Sequence, residues 1–160
     1  MKKIAVISVI ITILVACGGG AGSDTKPTTD PYAVKPTETA KENPSNDPNR
    51  GLGKFTKVEM AASLDAAMAA NGEKVFGVKC SSCHKLTDEK LVGPGWKGVT
   101  ARRTPEWIMN FATNTDEMLN KDPEAQAQLE ICLVRMPNQN LTDDDARALY
   151  EFMRKNDGVK

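Results

Sequence analysis

Cys80-Ser81-Ser82-Cys83-His84 narrows the possible folds of this 160-residue chain more than any other stretch. It sets the only histidine directly behind two of the four cysteines. On a helical turn, residues three and four apart share a face, so both sulfurs and the imidazole project to one side. A fold built around such a cluster has to leave room for whatever the three groups hold.

The two ends of the chain differ in kind from its middle. Lys2 and Lys3 precede an apolar run from Ile4 to Ala16, too short to span a bilayer comfortably but suited to the core of an export signal. The run closes on Leu14-Val15-Ala16-Cys17, which resembles the lipobox of bacterial lipoproteins. That resemblance implies cleavage after residue 16 and acyl chains on Cys17, several of which anchor where a single chain holds only marginally. An ordinary secretory signal with an incidental cysteine is the alternative, and both place the remainder outside the cytoplasm. Residues 17–54 read as a tether: GGGAGS, then five prolines among Thr, Asn, Asp and Lys, with Tyr32, Val34 and Leu52 as the only large apolar side chains. So little apolar surface does not offset the entropy of folding. A flexible coil of this length spans roughly 30–37 Å.

Phe55–Lys160 is left for the folded part, and its 14 Lys plus Arg against 16 Asp plus Glu offer no field for nucleic acid. The pattern is helical throughout. Asp65–Lys79 carries Ala67, Met68, Val75 and Phe76 at helical spacings. Thr104-Pro105 and Asp122-Pro123 each pair a capping residue with proline at the first turn; the second of these helices runs through Val134. Thr142 caps a last helix with acids in its first turn and an apolar stripe of Ala146, Leu149, Tyr150 and Met153. Residues 86–103 read as loop, and no stretch alternates over strand length. The expectation is an all-α domain of four to five short helices. With only eight aromatic residues in the whole chain, its core is thin, and something else should fill the middle.

The Cys-x-x-Cys-His spacing matches the attachment sequence of c-type haem. Cys80 and Cys83 would form thioether bonds to one porphyrin, and His84 would reach the iron. Three other chemistries use the same cysteines. A Cys80–Cys83 disulfide leaves His84 unexplained. A thioredoxin-like dithiol belongs at a helix start after a strand, whereas this pair follows a helix. A structural zinc site needs two further ligands, and only Cys132 remains.

With His84 used, the second axial position falls to methionine, to another weak ligand, or to none. Met60 and Met68 lie near the first helix, Met109 and Met153 read as core, and Met118 sits in a polar stretch. Met136 differs because Pro137 follows it and drives it out of helical geometry, so it is the expected ligand. Cys132, four residues earlier, reads as a buried thiol packing as a small hydrophobe; intermolecular pairing and an unusual iron ligand are its alternatives.

In order, GEKVFGVKCSSCH, LVGPGWKGV and RMPNQNLTDDDARALYEFM resemble the class I, monohaem cytochrome c family over about Asp65–Lys155. The resemblance implies the cytochrome c fold, with helices wrapped on one covalent haem c and the first and last helices in contact. Gly72 and Phe76 would meet Tyr150 or Phe152. It implies a Pro94 carbonyl accepting from the His84 imidazole, Trp96 packed by the ring, and Arg102 or Arg103 near a propionate.

His84/Met136 ligation would leave no open iron position, which suits a one-electron carrier and not an enzyme. The expected protein is lipid-anchored on the periplasmic side of a bacterial membrane and passes electrons between redox partner proteins. Six basic residues between Lys79 and Arg103, against Asp88 and Glu89, either steer it to acidic partners or form a solvated face. A haem enzyme or gas sensor with an open distal site, and a permanently docked haem subunit, are the competing functions.

Overall fold

A computed structural model describes residues 47–160, so the export signal, Cys17 and most of the tether lie outside the described residues. Among the described residues six helices follow one another: α1 (Ala66–Lys79), α2 (Val99–Arg102), α3 (Pro105–Thr113), α4 (Thr115–Lys121), α5 (Pro123–Cys132) and α6 (Asp143–Asn156). Asp65, Thr104, Asp122 and Thr142 start α1, α3, α5 and α6, each side chain accepting from the backbone N–H three residues on. No strand forms among the described residues beyond an isolated bridge between Asp47 and Gly51. The domain is all-α, as the sequence pattern predicts, and none of its described helices is long and apolar enough to cross a membrane.

The helix count exceeds the expected four to five. The single turn of α2 lies in the stretch read as loop, and α4 hides its apolar residues in a polar sequence, TDEMLNK. Met118 and Leu119 of α4 are buried nonetheless. In turn α5 stops short of Val134, because Leu133 adopts left-handed backbone at φ 60° and closes the helix.

The packing of α1 on α6 is the most extensive between any two helices. Gly72 and Phe76 of α1 make it, as the resemblance implies, with Ala69 buried beside them, while Ala67, read at helical spacing, is exposed. A methyl group on Gly72 would land on the Ala148 carbonyl of α6, so only glycine permits this approach. Phe76, one turn on, meets Phe152 with ring centroids 5.5 Å apart, which makes Phe152 rather than Tyr150 its partner. The predicted stripe of α6 is buried in full, and Glu151 and Arg154 are buried with it.

The folded chain also begins earlier than the tether boundary at residue 54. Leu52 donates its N–H to Met118 Sδ, and Asn110 Nδ2 donates to the carbonyls of Arg50 (2.8 Å) and Phe55 (2.9 Å). Residues 47–54 thus lie as a strap along α3 and α4.

Candidate functional site: the cysteine and histidine cleft

Cys80 follows α1 directly, its N–H still bonded to the Phe76 carbonyl at 2.9 Å. The N–H groups of Cys83 and His84 both return to the Cys80 carbonyl, at 3.1 and 2.9 Å. The stretch is therefore one further turn, as its spacing requires. The next loop folds back over it: Val92 and Gly93 donate to the Cys83 carbonyl. Gly93 lies so close to the His84 imidazole that a Cβ there would overlap the ring. Nothing in the sequence singles out Gly93 from the other glycines of LVGPGWKG.

His84 Nδ1 is 2.9 Å from the Pro94 carbonyl. A carbonyl only accepts, so Nδ1 carries the proton and Nε2 keeps its lone pair. Burial pushes the imidazole below its ordinary pKa of 6.5, against the opposing pull of the Pro94 bond, which favours the neutral, ligating form. Trp96 is buried between neighbours, its ring 5.4 Å from His84 and 4.9 Å from Phe76. Burial raises the Cys80 thiol to about 11, outweighing Lys79. A redox dithiol needs the opposite shift, and no strand precedes this pair among the described residues. Among the described residues no three His, Cys, Asp or Glu side chains gather to hold a metal ion.

A cleft of about 390 Å³ opens in front of these groups, within the range that takes a cofactor. Cys80, Cys83 and His84 line it, and so does Met136, although Met136 is 52 residues further along the chain. The rest of the lining is chiefly apolar core: Trp96, Trp107, Ile108, Leu119, Leu149 and Met153. Trp107 and Leu119 were not foreseen at the site, since nothing in their local sequence tells a cleft wall from ordinary core.

Cys132 lines the same cleft, half-buried at the end of α5, with its thiol pKa raised by burial. Arg102 and Arg103 also reach the cleft. Arg103 is paired with Glu124 at 2.5 Å and lies over the Trp107 ring, while Arg102 donates to the Lys97 carbonyl at 2.8 Å. These residues suit haem: two cysteine sulfurs, an imidazole with one nitrogen free to ligate, a thioether sulfur, and apolar walls for a flat macrocycle.

The family described as Cytochrome c matches residues 69–157. A cytochrome c from Rhodothermus marinus is 33% identical, over 66% of this chain and 90% of that chain, with a TM-score of 0.63. An engineered cytochrome c from the same organism, bound to a carbene intermediate, is 32% identical over the same shares, with a TM-score of 0.60. The match spans the cysteine and histidine turn, the Pro94 loop, the Met136 loop and the α1–α6 contact together, and by it this chain belongs to the cytochrome c family, whose cofactor is a covalently attached haem c.

Proposed function

We propose that this protein is a membrane-tethered, periplasmic one-electron carrier with a single haem c, His84 and Met136 being the iron ligands and Cys17 the lipid attachment site. The haem supplies reversible exchange of one electron between Fe(II) and Fe(III) when bound. The chain's residues hold it. Cys80 and Cys83 would each add their S–H across a vinyl group, and burial keeps the Cys80 sulfur in the thiol form this needs. Pro94 fixes the tautomer of His84 and so aims Nε2, a kind of support that raises ligand basicity. Met136 brings a neutral thioether, which favours the reduced state over more donating ligands. The apolar walls limit water at the site.

The observation that carries this reading is that His84, with its proton committed to Pro94, and Met136 line one cleft. With both bound to iron no position is left for substrate, which favours a carrier over an enzyme or sensor. A tether on Cys17 would keep the carrier close to membrane-bound redox partners at high effective concentration.

The test is the mature protein from a host able to attach haem and lipid. Its mass should show one haem adduct and acyl chains on Cys17. The oxidised protein should show the weak far-red band of methionine bound to ferric haem, and Met136→Ala should abolish that band. A band that survives the substitution would remove Met136 from the iron.

A further inference from the structure

Loop 133–141 carries Met136 between α5 and α6, and its backbone does little to hold it there. From Val134 to Leu141 no residue takes part in a backbone–backbone hydrogen bond among the described residues. Leu133 and Asn140, near its two ends, are non-glycine residues at φ 60° and 50°. A side chain such as leucine's disfavours that region, which asparagine enters more readily, so at Leu133 the loop's own backbone does not select this shape. Its apolar packing is also slight: Leu133 is 82% exposed and Val134 54%, leaving Met136 and Leu141 as the side chains that touch the core.

Two cations tie the loop down on either side of Met136. Arg135, immediately before it, reaches α4 with Nη2, donating to Asn120 Oδ1 at 2.9 Å and to the carbonyl and carboxylate oxygens of Asp116 at 3.3 and 3.4 Å. Lys79, the last residue of α1 and the neighbour of Cys80, donates from Nζ to the Gln139 carbonyl at 2.9 Å. One anchor joins the loop to α4 and the other joins it to the helix that leads into Cys80-Ser81-Ser82-Cys83-His84.

We propose that Lys79 and Arg135 are positioning residues: together they clamp loop 133–141 so that Met136 stays presented to the iron. The proposal rests on the reading of Met136 as ligand. A loop released from either anchor spends less time in the ligating arrangement, and a competing ligand binds in proportion to the time Met136 is away.

Imidazole titrated into the ferric, haem-loaded full chain measures that fraction. Lys79→Met and Arg135→Gln should each bind imidazole roughly three- to tenfold more tightly than wild type, in line with loss of a charge-assisted hydrogen bond, and should weaken the methionine–iron band. Lys79→Arg should restore wild-type behaviour. Lys155→Met is the control, because it removes a surface pair with Glu73 (3.0 Å) between α6 and α1, away from the loop; it should leave imidazole affinity unchanged. In a Met136→Ala background the two clamp substitutions should add nothing. If Met136→Ala tightens imidazole binding but neither clamp substitution does, the clamp is wrong and the ligand assignment stands. If Met136→Ala itself changes neither band nor affinity, the ligand assignment fails and takes the clamp with it. A lower unfolding temperature without any change in imidazole affinity would show a merely structural role and overturn the proposal.

Discussion

Asn110 of α3 is fully buried and satisfies three backbone groups at once, one in the strap and two on Phe55 just after it. Its Oδ1 accepts from the Phe55 N–H at 2.9 Å, and its Nδ2 donates to the carbonyls of Arg50 and Phe55. Asn110→Ala leaves all three without this partner in a poorly solvated place. It is expected to lower the stability of the haem-loaded protein by about 2–3 kcal/mol, measured by denaturant unfolding. A loss below about 0.5 kcal/mol, the ordinary range for surface changes, would mean that the strap is not fastened as described. No sequence signal marks Asn110, because asparagine within WIMNF reads as the polar side of an amphipathic helix. Cys80, Cys83 and His84 are the opposite case: their spacing dictates a shared face, and the chain obeys it within a single turn. Met136 stands between the two. Proline after it predicts a non-helical position, and the structure adds that this position lines the cleft. Lys79 and Arg135 were legible only as charges, since what they hold is set by loops meeting across the fold.

At the scale of elements, caps were the readable part. Thr104, Asp122 and Thr142 act through bonds within one turn, so local sequence is sufficient to place them. Contacts between helices were less readable where they use small or polar side chains. In the α1–α6 contact Gly72 and Phe76 follow from the family resemblance, but Ala69 follows from no pattern, and α6 buries Glu151, which no apolar pattern would include. Burial pushes the Glu151 carboxyl up, but the Arg147 hydrogen bond (2.7 Å), the Asp65 N–H (2.9 Å) and Arg154 (2.7 Å) together hold it below its ordinary value of 4.5. Arg154 continues to the carbonyls of Ala61 and Ala62, so the network fastens the segment before α1 onto α6. A depressed carboxylate stabilises the fold in full above its unfolded pKa, and that share is lost as pH falls through the lower folded value. Glu151→Gln should therefore destabilise the protein by about 3 kcal/mol near neutrality. The gap from wild type should narrow as pH drops below 4.5. Paired denaturation curves at neutral and acid pH check both statements; a gap independent of pH would show that the ionised carboxylate is not what matters.

For the whole molecule, the thin core and the cleft are the same fact. Ile108, Leu119, Leu149 and Met153 are buried, yet they also line the cleft of about 390 Å³, so the helices close around a space that their own side chains do not fill. If that space were dry and closed, a cavity term of roughly 24 cal/mol per Å³ would amount to about 9 kcal/mol. That figure is an upper bound, because water entering the open cleft relieves part of it. It is still as large as the entire stability of an ordinary domain, about 5–15 kcal/mol. A group that fills the cleft only in the native state adds its binding energy to folding, and thioether bonds keep it from leaving. The expected consequence is that the chain made without haem attachment, whether in a host lacking the assembly enzymes or as the Cys80→Ala, Cys83→Ala double variant, shows no cooperative heat-absorption peak in calorimetry, while the haem-loaded protein melts in one transition. The variant isolates the covalent bonds and the host isolates the cofactor. A colourless chain that melts cooperatively would mean that the six helices are sufficient alone, and that the cleft is a tolerated void rather than the missing centre of the core.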